Sequence, residues 1–392
     1  MNIVKQGLTA GVMLLCAATV QAQTFETAAR AAYVYDQTTG TVLLAKDASI
    51  PLPPASMSKL MTIYMAFEAI IDGRMSVDDV LPVSAHAASF GGSSMFLDTT
   101  DRVRVEDLLR GVIVLSGNDA SVVLAEALSP DGTEAGFGRL MTERARQLGM
   151  NSSVFVNASG WPAAGHRMST EDLGILSSRL ITDFPTFYPL FAETEFAFDN
   201  RVPSNSQNRN PVLRMGIGAD GLKTGHTQEA GYGLAGSAVQ GDRRVIFVIT
   251  GLDTMQQRAE ESERIVNWAF RQFAERDVAT AGTRIATADV WMGAEQTVGL
   301  TVAEDLTLLV PTLHQGAVEG QVVFDGPVQA PVVAGQPLGE LIIALDGLPE
   351  KRVPLVADAD VPAGGFAARM RTAALVLWGK YGFAPGADAN GA

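Results

Sequence analysis

The chain has 392 residues, 47% hydrophobic and 18% charged, which supplies apolar side chain for more than one packed core and excludes a disordered polypeptide. Its formal charge of −14 excludes nucleic acid as the main partner, because phosphate binding needs a basic face. One cysteine and four scattered histidines (His86, His166, His226 and His314) exclude a disulfide framework and a Cys/His metal site, so no metal or other cofactor is expected.

Residues 1–22 predict an export signal. Lys5 gives a positive start, Gly7 to Val20 a short apolar run, and Val20-Gln21-Ala22 small residues at the cleavage positions. The run is short for a membrane-spanning helix. Cys16 falls inside it and follows Leu15, where a lipidation site wants a small residue. The mature chain, from Gln23, therefore has no cysteine and works outside the cytoplasm without disulfides.

Ala31 to Gln37 and Thr41 to Lys46 read as a hairpin turned by Thr38-Thr39-Gly40. Pro51, Pro53 and Pro54 then exclude regular structure. Met57, Leu60, Met61, Tyr64 and Met65 fall at helical spacing and predict a helix from about Ser56 to Ile71. Ser84 to Thr100, rich in Ser, Gly and Ala, reads as a loop-rich excursion. A helix from Val105 to Leu115 is broken by Ser116-Gly117-Asn118 and resumes over Asp119 to Leu128. Glu134 to Leu148 and Thr170 to Leu180 are further helices. The period then changes. Gly221 to Gly225, Tyr232 to Ala238 and Arg244 to Thr250 read as three strands whose tight links require antiparallel pairing. Gly216-Ile217-Gly218-Ala219-Asp220-Gly221 matches G-x-G-x-x-G, but it leads into a strand rather than opening a helix, so it is no dinucleotide site. Ile265, Val266, Ala269, Phe270 and Phe273 predict a helix from about Gln257 to Glu275. Strands at both ends with helices between them predict an α+β fold, an antiparallel sheet covered by helices.

A shift in composition near Asp277 to Gly282 divides a first domain (residues 23–278) from a second (residues 283–360). Short strands in the second, among them Gln321 to Phe324, Leu338 to Leu345 and Arg352 to Val356, predict a small β-sandwich. Residues 364–383 predict a terminal amphipathic helix ahead of a short tail, residues 384–392. Phe366, Met370, Ala373, Ala374, Leu377 and Tyr381 share one face, and the only charges of the helix are Arg369, Arg371 and Lys380. That pattern suits an anionic membrane surface. Packing on its own protein or on a dimer partner is the alternative.

Lysine usage points to the chemistry. The chain has six lysines against twenty-three arginines. A lysine kept in a structured apolar setting by so arginine-rich a chain suggests an amine that must lose its proton, which arginine cannot do. Lys59 and Lys223 are the two such cases. Lys59 follows Ser56 by three residues at a predicted helix start, so the amine and hydroxyl share a face and can form a nucleophile–base pair. Taken alone, the short tetrad reads rather as an N-cap serine with a surface lysine. Lys223-Thr224-Gly225 lies on the first of the three predicted strands, where Gly225 admits close approach of a backbone or ligand. Ser116-Gly117-Asn118 places a hydroxyl and an amide at a helix break, where capping is the ordinary role.

Ser-x-x-Lys, Ser-x-Asn and Lys-Thr-Gly in this order resemble the penicillin-recognising serine acyl enzymes. The longer runs Pro54-Ala55-Ser56-Met57-Ser58-Lys59-Leu60-Met61-Thr62, Leu115-Ser116-Gly117-Asn118-Asp119-Ala120 and Asp220-Gly221-Leu222-Lys223-Thr224-Gly225-His226-Thr227 are similar to those of the low-molecular-mass penicillin-binding proteins, the D-alanyl-D-alanine carboxypeptidases. The resemblance covers the whole chain. It implies a β-lactamase/transpeptidase-like catalytic domain with a small β domain and a terminal anchor. It implies removal of the terminal D-alanine from peptidoglycan stem peptides through a Ser56 acyl-enzyme, and covalent inhibition by β-lactams. Lys59 is then the base and Ser116 the proton relay. Asn118 orients Lys59 and binds the peptide amide. The backbone N–H groups of Ser56 and His226 form the oxyanion hole, Lys223 lowers the pKa of Lys59 by like charge, and Thr224 and Thr227 bind the terminal carboxylate. Arg258 is an added cation for that carboxylate or a helix-surface arginine. The implied location is the periplasm, on the outer face of the cytoplasmic membrane. A β-lactamase, a transpeptidase and a wall-binding protein without turnover are the competing functions.

Overall fold

A computed structural model describes residues 25–313 and 316–366, together with Met370, Thr372 and Ala374. The expected export signal lies outside these residues. So do His314 and most of the expected terminal helix, including Arg369, Arg371, Ala373, Leu377, Lys380 and Tyr381.

The hairpin forms as β1 (Ala31–Asp36) and β2 (Thr41–Lys46). A 3-10 turn (Ala55–Ser58) leads into α1 (Lys59–Ile71). The small pair β3 (Val80–Pro82) and β4 (Arg102–Arg104) flanks the short helix α2 (Ala85–Ala88) and the coil after it, the expected loop-rich excursion. Then come α3 (Val105–Arg110), α4 (Asn118–Leu128), α5 (Glu134–Gln147) and α6 (Thr170–Asp183). Three long strands follow, β5 (Ala219–Thr227), β6 (Gly231–Gln240) and β7 (Arg243–Leu252), and then α7 (Met255–Arg271).

These strands make one antiparallel sheet in the order β2-β1-β7-β6-β5. The apolar run of β7 is buried on both faces, and its two-residue period sorts it between two cores. Val248 joins Leu222, Ala235 and the helices α1 and α3–α6 on one side, while Val245, Phe247 and Ile249 meet Ile265, Val266 and Ala269 of α7 on the other. The first domain is thus the expected α+β arrangement, with the sheet between two helical layers. Helix α1 is central to the larger core. Leu60, Met61, Ile63, Tyr64, Phe67 and Ala69 are all buried, so its apolar residues run right round the axis and its first residue, Lys59, is buried too. The edge strand β5 leaves one side open along the cleft.

The last helix ends earlier than its sequence suggests. Ala274-Glu275-Arg276 has helical propensity, yet α7 stops at Arg271 and Phe273 opens β8 (Phe273–Ala279). Strand β8 pairs with β11 (Leu306–Pro311), so the chain enters the second domain at Phe273 rather than after Asp277. Cross-strand pairing outweighs local propensity here. The rest forms a six-stranded sheet in the order β12-β14-β15-β10-β9-β13, from β9 (Arg284–Trp291), β10 (Thr297–Val302), β12 (Gly320–Phe324), β13 (Val328–Gln329), β14 (Pro337–Ile343) and β15 (Lys351–Ala357). Leu306, Leu308 and Val310 of β11 share a core with Leu300, Leu341 and Leu355 of the larger sheet, which gives two packed β layers. A buried ion pair marks the junction of the domains. Arg243 holds Asp36 at 2.7 Å and donates to the carbonyls of Ala269 and Phe273, across the end of α7 and the start of β8.

Candidate active site

The nucleophile candidate sits on a forced turn. Pro53 and Pro54 lead into the 3-10 segment, where Ala55 takes a left-handed φ of 50° that costs a non-glycine residue free energy. Two close approaches hold it there. A Cβ on Gly225 would stand 3.0 Å from the carbonyl oxygen of Pro54 and 3.2 Å from Cβ of Ala55. A Cβ on Gly160, itself at φ 73°, would collide with the carbonyl of Ala55. The close approach expected at Gly225 is thus made by the backbone that carries Ser56.

Ser56 is half-buried, and its Oγ accepts from Lys59 Nζ at 2.9 Å. The same amine donates to Asn118 Oδ1 at 2.7 Å and to the carbonyl of Ser159. Asn118 turns its own Nδ2 to the carbonyl of Gly91 at 2.8 Å, which fixes the amide orientation. The helix expected from Val105 to Leu115 is α3 followed by one π-helical turn (Gly111–Leu115). That wider turn ends on Ser116 at a left-handed φ of 61°, and Gly117 N bonds back to Gly111 O at 3.0 Å. The irregularity aims Ser116 into the cleft, as π-bulges commonly do at functional sites. Lys223 Nζ donates to Ser116 Oγ at 2.8 Å and to the carbonyl of Thr224 at 3.3 Å. Ser116 and Asn118, two residues apart on one break, thus each engage one of the two lysines.

Both amines are buried, and every hydrogen-bond partner just named is neutral. Burial without a carboxylate partner disfavours the ammonium form. Lys59 is brought down to about 7, first by burial and then by the charge of Arg209; Asp119 and Glu134 oppose the shift. Lys223 is pushed well below its ordinary value by burial, then by Lys59, Arg209 and Arg258. The two amines disfavour each other's charged forms unequally. The cation that repels the charged form of Lys59 is Arg209, and the like-charge effect between the two lysines falls on Lys223.

Arg209 is the residue that sequence reasoning missed. It lies in an irregular stretch, donates to the carbonyl of Leu115 at 3.0 Å and contacts Ser93 Oγ. Its only sequence signal is an arginine between Asn208 and Asn210, no different from a solvated loop. Arg258 is not the surface arginine that its position near a helix start allowed. It is buried at 5% exposure, lies over the ring of Tyr232 at 5.7 Å and donates to the carbonyl of Arg209 at 3.2 Å. Burial lowers it to about 10, so it remains a cation at neutral pH.

The other expected residues follow along β5. Thr224 is buried beside Lys223. His226 is exposed and stacks on Tyr232 at 3.9 Å. Thr227 Oγ1 accepts from Ala230 N at 3.0 Å and shapes the turn into β6. Asp119 fixes the opposite wall, because its buried carboxylate accepts from Ser94 Oγ and from the backbone N–H groups of Met95 and Leu97. The G-x-G-x-x-G stretch does lead into β5 and opens no helix. Among the described residues, no group of three or more His, Cys, Asp or Glu side chains is placed to hold a metal ion.

The arrangement joins a hydroxyl to an amine that loses its proton near pH 7, with two arginines close by. It can deliver a serine oxygen to a carbonyl and hold an anion next to it.

Comparison with known proteins agrees. The family model described as D-alanyl-D-alanine carboxypeptidase matches residues 17–254, and that of the penicillin-binding protein 5 C-terminal domain matches residues 273–363. The chain is 34% identical over 350 residues to the D-alanyl-D-alanine carboxypeptidase DacC of Escherichia coli, covering 87% of this chain and 86% of that one. Against DacF of Bacillus subtilis it is 31% identical, covering 86% and 87%. The fold is similar to the crystal structure of penicillin-binding protein 5 from Haemophilus influenzae, with a TM-score of 0.74 at 32% identity over 86% of this chain and 98% of that one. It is also similar to penicillin-binding protein D2 from Listeria monocytogenes in its ampicillin-bound form, with a TM-score of 0.56 at 33% identity over 62% and 98%. Two family models that together span most of the chain, and relatives above 30% identity along its length, place the protein: it belongs to the D-alanyl-D-alanine carboxypeptidase family.

Proposed function

We propose that the protein is a serine-type D-alanyl-D-alanine carboxypeptidase that removes the terminal D-alanine from peptidoglycan stem peptides. The observation that carries this is the contact of Ser56 Oγ with an amine depressed to about 7, next to a second buried amine on Ser116. Neutral Lys59 takes the proton as Ser56 Oγ attacks the carbonyl carbon of the penultimate D-alanine. Asn118 keeps Lys59 in place and offers an amide to the peptide. The backbone N–H groups of Ser56 and His226, on two segments that touch at Gly225, stabilise the oxyanion. Ser116 passes a proton to the departing amine. Thr224, Thr227, Arg258 and Arg209 receive the terminal carboxylate, whose approach favours the charged form of Lys223. Water then hydrolyses the acyl-enzyme and frees Ser56.

Penicillin would acylate the same serine, a reading supported by the ampicillin-bound Listeria relative. The relatives are named for the D-alanyl-D-alanine group, and this, with the expected export signal, supports action outside the cytoplasm, in the periplasm. The C-terminal segment attaches the enzyme to the outer face of the cytoplasmic membrane. Phe366 and Met370, one helical turn apart, are 80% and 55% exposed, which supports a free apolar face there. No helix among the described residues is long and apolar enough to cross a membrane.

Mass spectrometry of the mature chain after exposure to penicillin should show one adduct, mapped to the peptide carrying Ser56, and a D-Ala-D-Ala peptide should release free D-alanine. Rapid loss of the adduct without D-alanine release would identify a β-lactamase instead, and crosslinked product would identify a transpeptidase. The depressed amine also sets a pH dependence. Protonated Lys59 cannot act as a base, so the acylation rate with penicillin should climb about tenfold per pH unit below the value near 7 and level off above it. A flat profile between pH 5 and 9, measured by stopped assay, would remove Lys59 from that role.

A further inference from the structure

The amine of Lys59 rests on a short coil, residues 157–160, that packs against the nucleophile turn and α1. Ser159 O accepts from Lys59 Nζ, Ala158 O accepts from Thr62 Oγ1 at 2.7 Å, and a Cβ on Gly160 would strike the carbonyl of Ala55. These two carbonyls face α1, and their place fixes where the amine points. The N–H groups of the coil are held from within and from behind. Those of Ser159 and Gly160 donate to Asn157 Oδ1 at 3.2 and 2.8 Å, and that of Ala158 donates to Glu134 Oε1 at 3.0 Å.

Glu134 opens α5, where the helix dipole favours a carboxylate that ordinarily stays in solvent. Here it is buried, at 8% exposure, although the helix end has its own cap in Thr133, whose Oγ1 accepts from Gly136 N at 3.0 Å. Burying a carboxylate is unfavourable without hydrogen bonds, and Glu134 has one on each oxygen. Oε1 takes the Ala158 N–H, and Oε2 meets His86 Nε2 on α2 at 3.0 Å. Several elements bring charged or titratable groups to the Lys59 amine: Glu134 from α5, Asp119 from α4, Arg209 from the coil ahead of β5, Lys223 from β5, and His166, which burial brings down to about 4 and keeps neutral. Glu134 and Asp119 favour the charged form of the amine, and Asp119 is already committed to Ser94, Met95 and Leu97 in the opposite wall.

Resting on the acyl-enzyme reading above, we propose that Glu134 is a positioning residue for the base: it fixes the Ala158–Ser159 peptide against the Lys59 amine and stands behind that peptide as a counter-charge to the ammonium. The two roles separate by substitution. Glu134→Gln keeps an oxygen for the Ala158 N–H and gains a donor for His86 Nε2, but it removes the charge. The ammonium then loses a stabilising neighbour and gives up its proton at lower pH. Glu134→Ala removes both roles, and the peptide that receives the amine is free to shift.

The test follows acylation by penicillin across the pH range in a stopped assay, with a melting temperature for each variant. In Glu134→Gln the rate at about pH 6, taken as a fraction of the alkaline plateau, should rise about threefold over the wild type. In Glu134→Ala the fraction should rise as well, and the plateau should fall about tenfold below that of Glu134→Gln, because a misplaced base reacts slowly. Thr62→Val removes the other hold on Ala158 without touching a charge. It should lower the plateau and leave the fraction where it was. A fraction raised by less than about 1.5-fold in folded Glu134→Gln overturns the counter-charge. Plateaus of the two Glu134 variants within about twofold of each other overturn the positioning. Should the Glu134 variants not fold, a folded Thr62→Val with the wild-type plateau overturns it instead. Unmoved profiles with the adduct still formed sink the role of Glu134 and leave the acyl-enzyme standing. No adduct in the wild type sinks both.

Discussion

Ser56→Ala should abolish the penicillin adduct and lower D-alanine release by about a millionfold, the scale of loss when a serine nucleophile is removed from an acyl-transfer site. Neither neighbouring hydroxyl can take over. Ser58 is fully buried beneath the Gly160 backbone, and its Oγ has no hydrogen-bond partner. Ser116 Oγ is engaged by Lys223 rather than by Lys59. The substitution removes one of three acceptors around Lys59, which costs about 1 kcal/mol of stability, so the variant should fold. Intact mass after penicillin exposure, a D-alanine assay and a melting temperature together check the expectation. An adduct retained at full level and mapped to another peptide would sink the assignment of Ser56.

Lys59→Arg should lower acylation by about ten-thousandfold, the upper range for a lost general base, although the positive charge is kept. A guanidinium cannot give up its proton at neutral pH. It must also fit a space closed by Asn118 and Ser159, and overpacking there costs about 1–3 kcal/mol. The diagnostic readout is the shape of the pH profile. The rise near pH 7 should disappear and leave a low, flat rate. A variant that keeps the same rise at reduced height would show that another group titrates, and Lys59 would then be a positioning residue.

Much of this was legible in the residues. The period-two runs at Tyr232 and Arg244 and the helical spacing at Met57 to Met65 appear as β6, β7 and α1 with shifted ends. Ser56, Lys59, Ser116, Asn118 and Lys223 stand in three separated motifs because each chemical group needs a fixed place on a helix start, a helix break or a strand. What stayed hidden has no local signature. Arg209 acts through a loop whose path depends on the coil it packs against. The burial of Arg258 follows from Tyr232 on a neighbouring strand, which helix periodicity does not report. The π turn before Ser116 is set by packing at Gly111, where a Cβ would collide with Met95. The end of α7 was misread because Ala274-Glu275-Arg276 favours helix, whereas β8 is fixed by its partner β11, about thirty residues on.

The two lysines walled off beneath the cleft also bear on how the protein survives acid and alkali. An amine near 10.5 in the unfolded chain that sits near 7 when folded opposes folding wherever both forms are protonated. Between those values the unfolded chain holds more protons, so folding gains as the medium becomes more alkaline; below about 7 the full penalty is present. The catalytic base is usable in the same range where the penalty begins to lift. The loss of stability as the pH falls is therefore complete by about 7, where protonation of the base begins to disarm the enzyme.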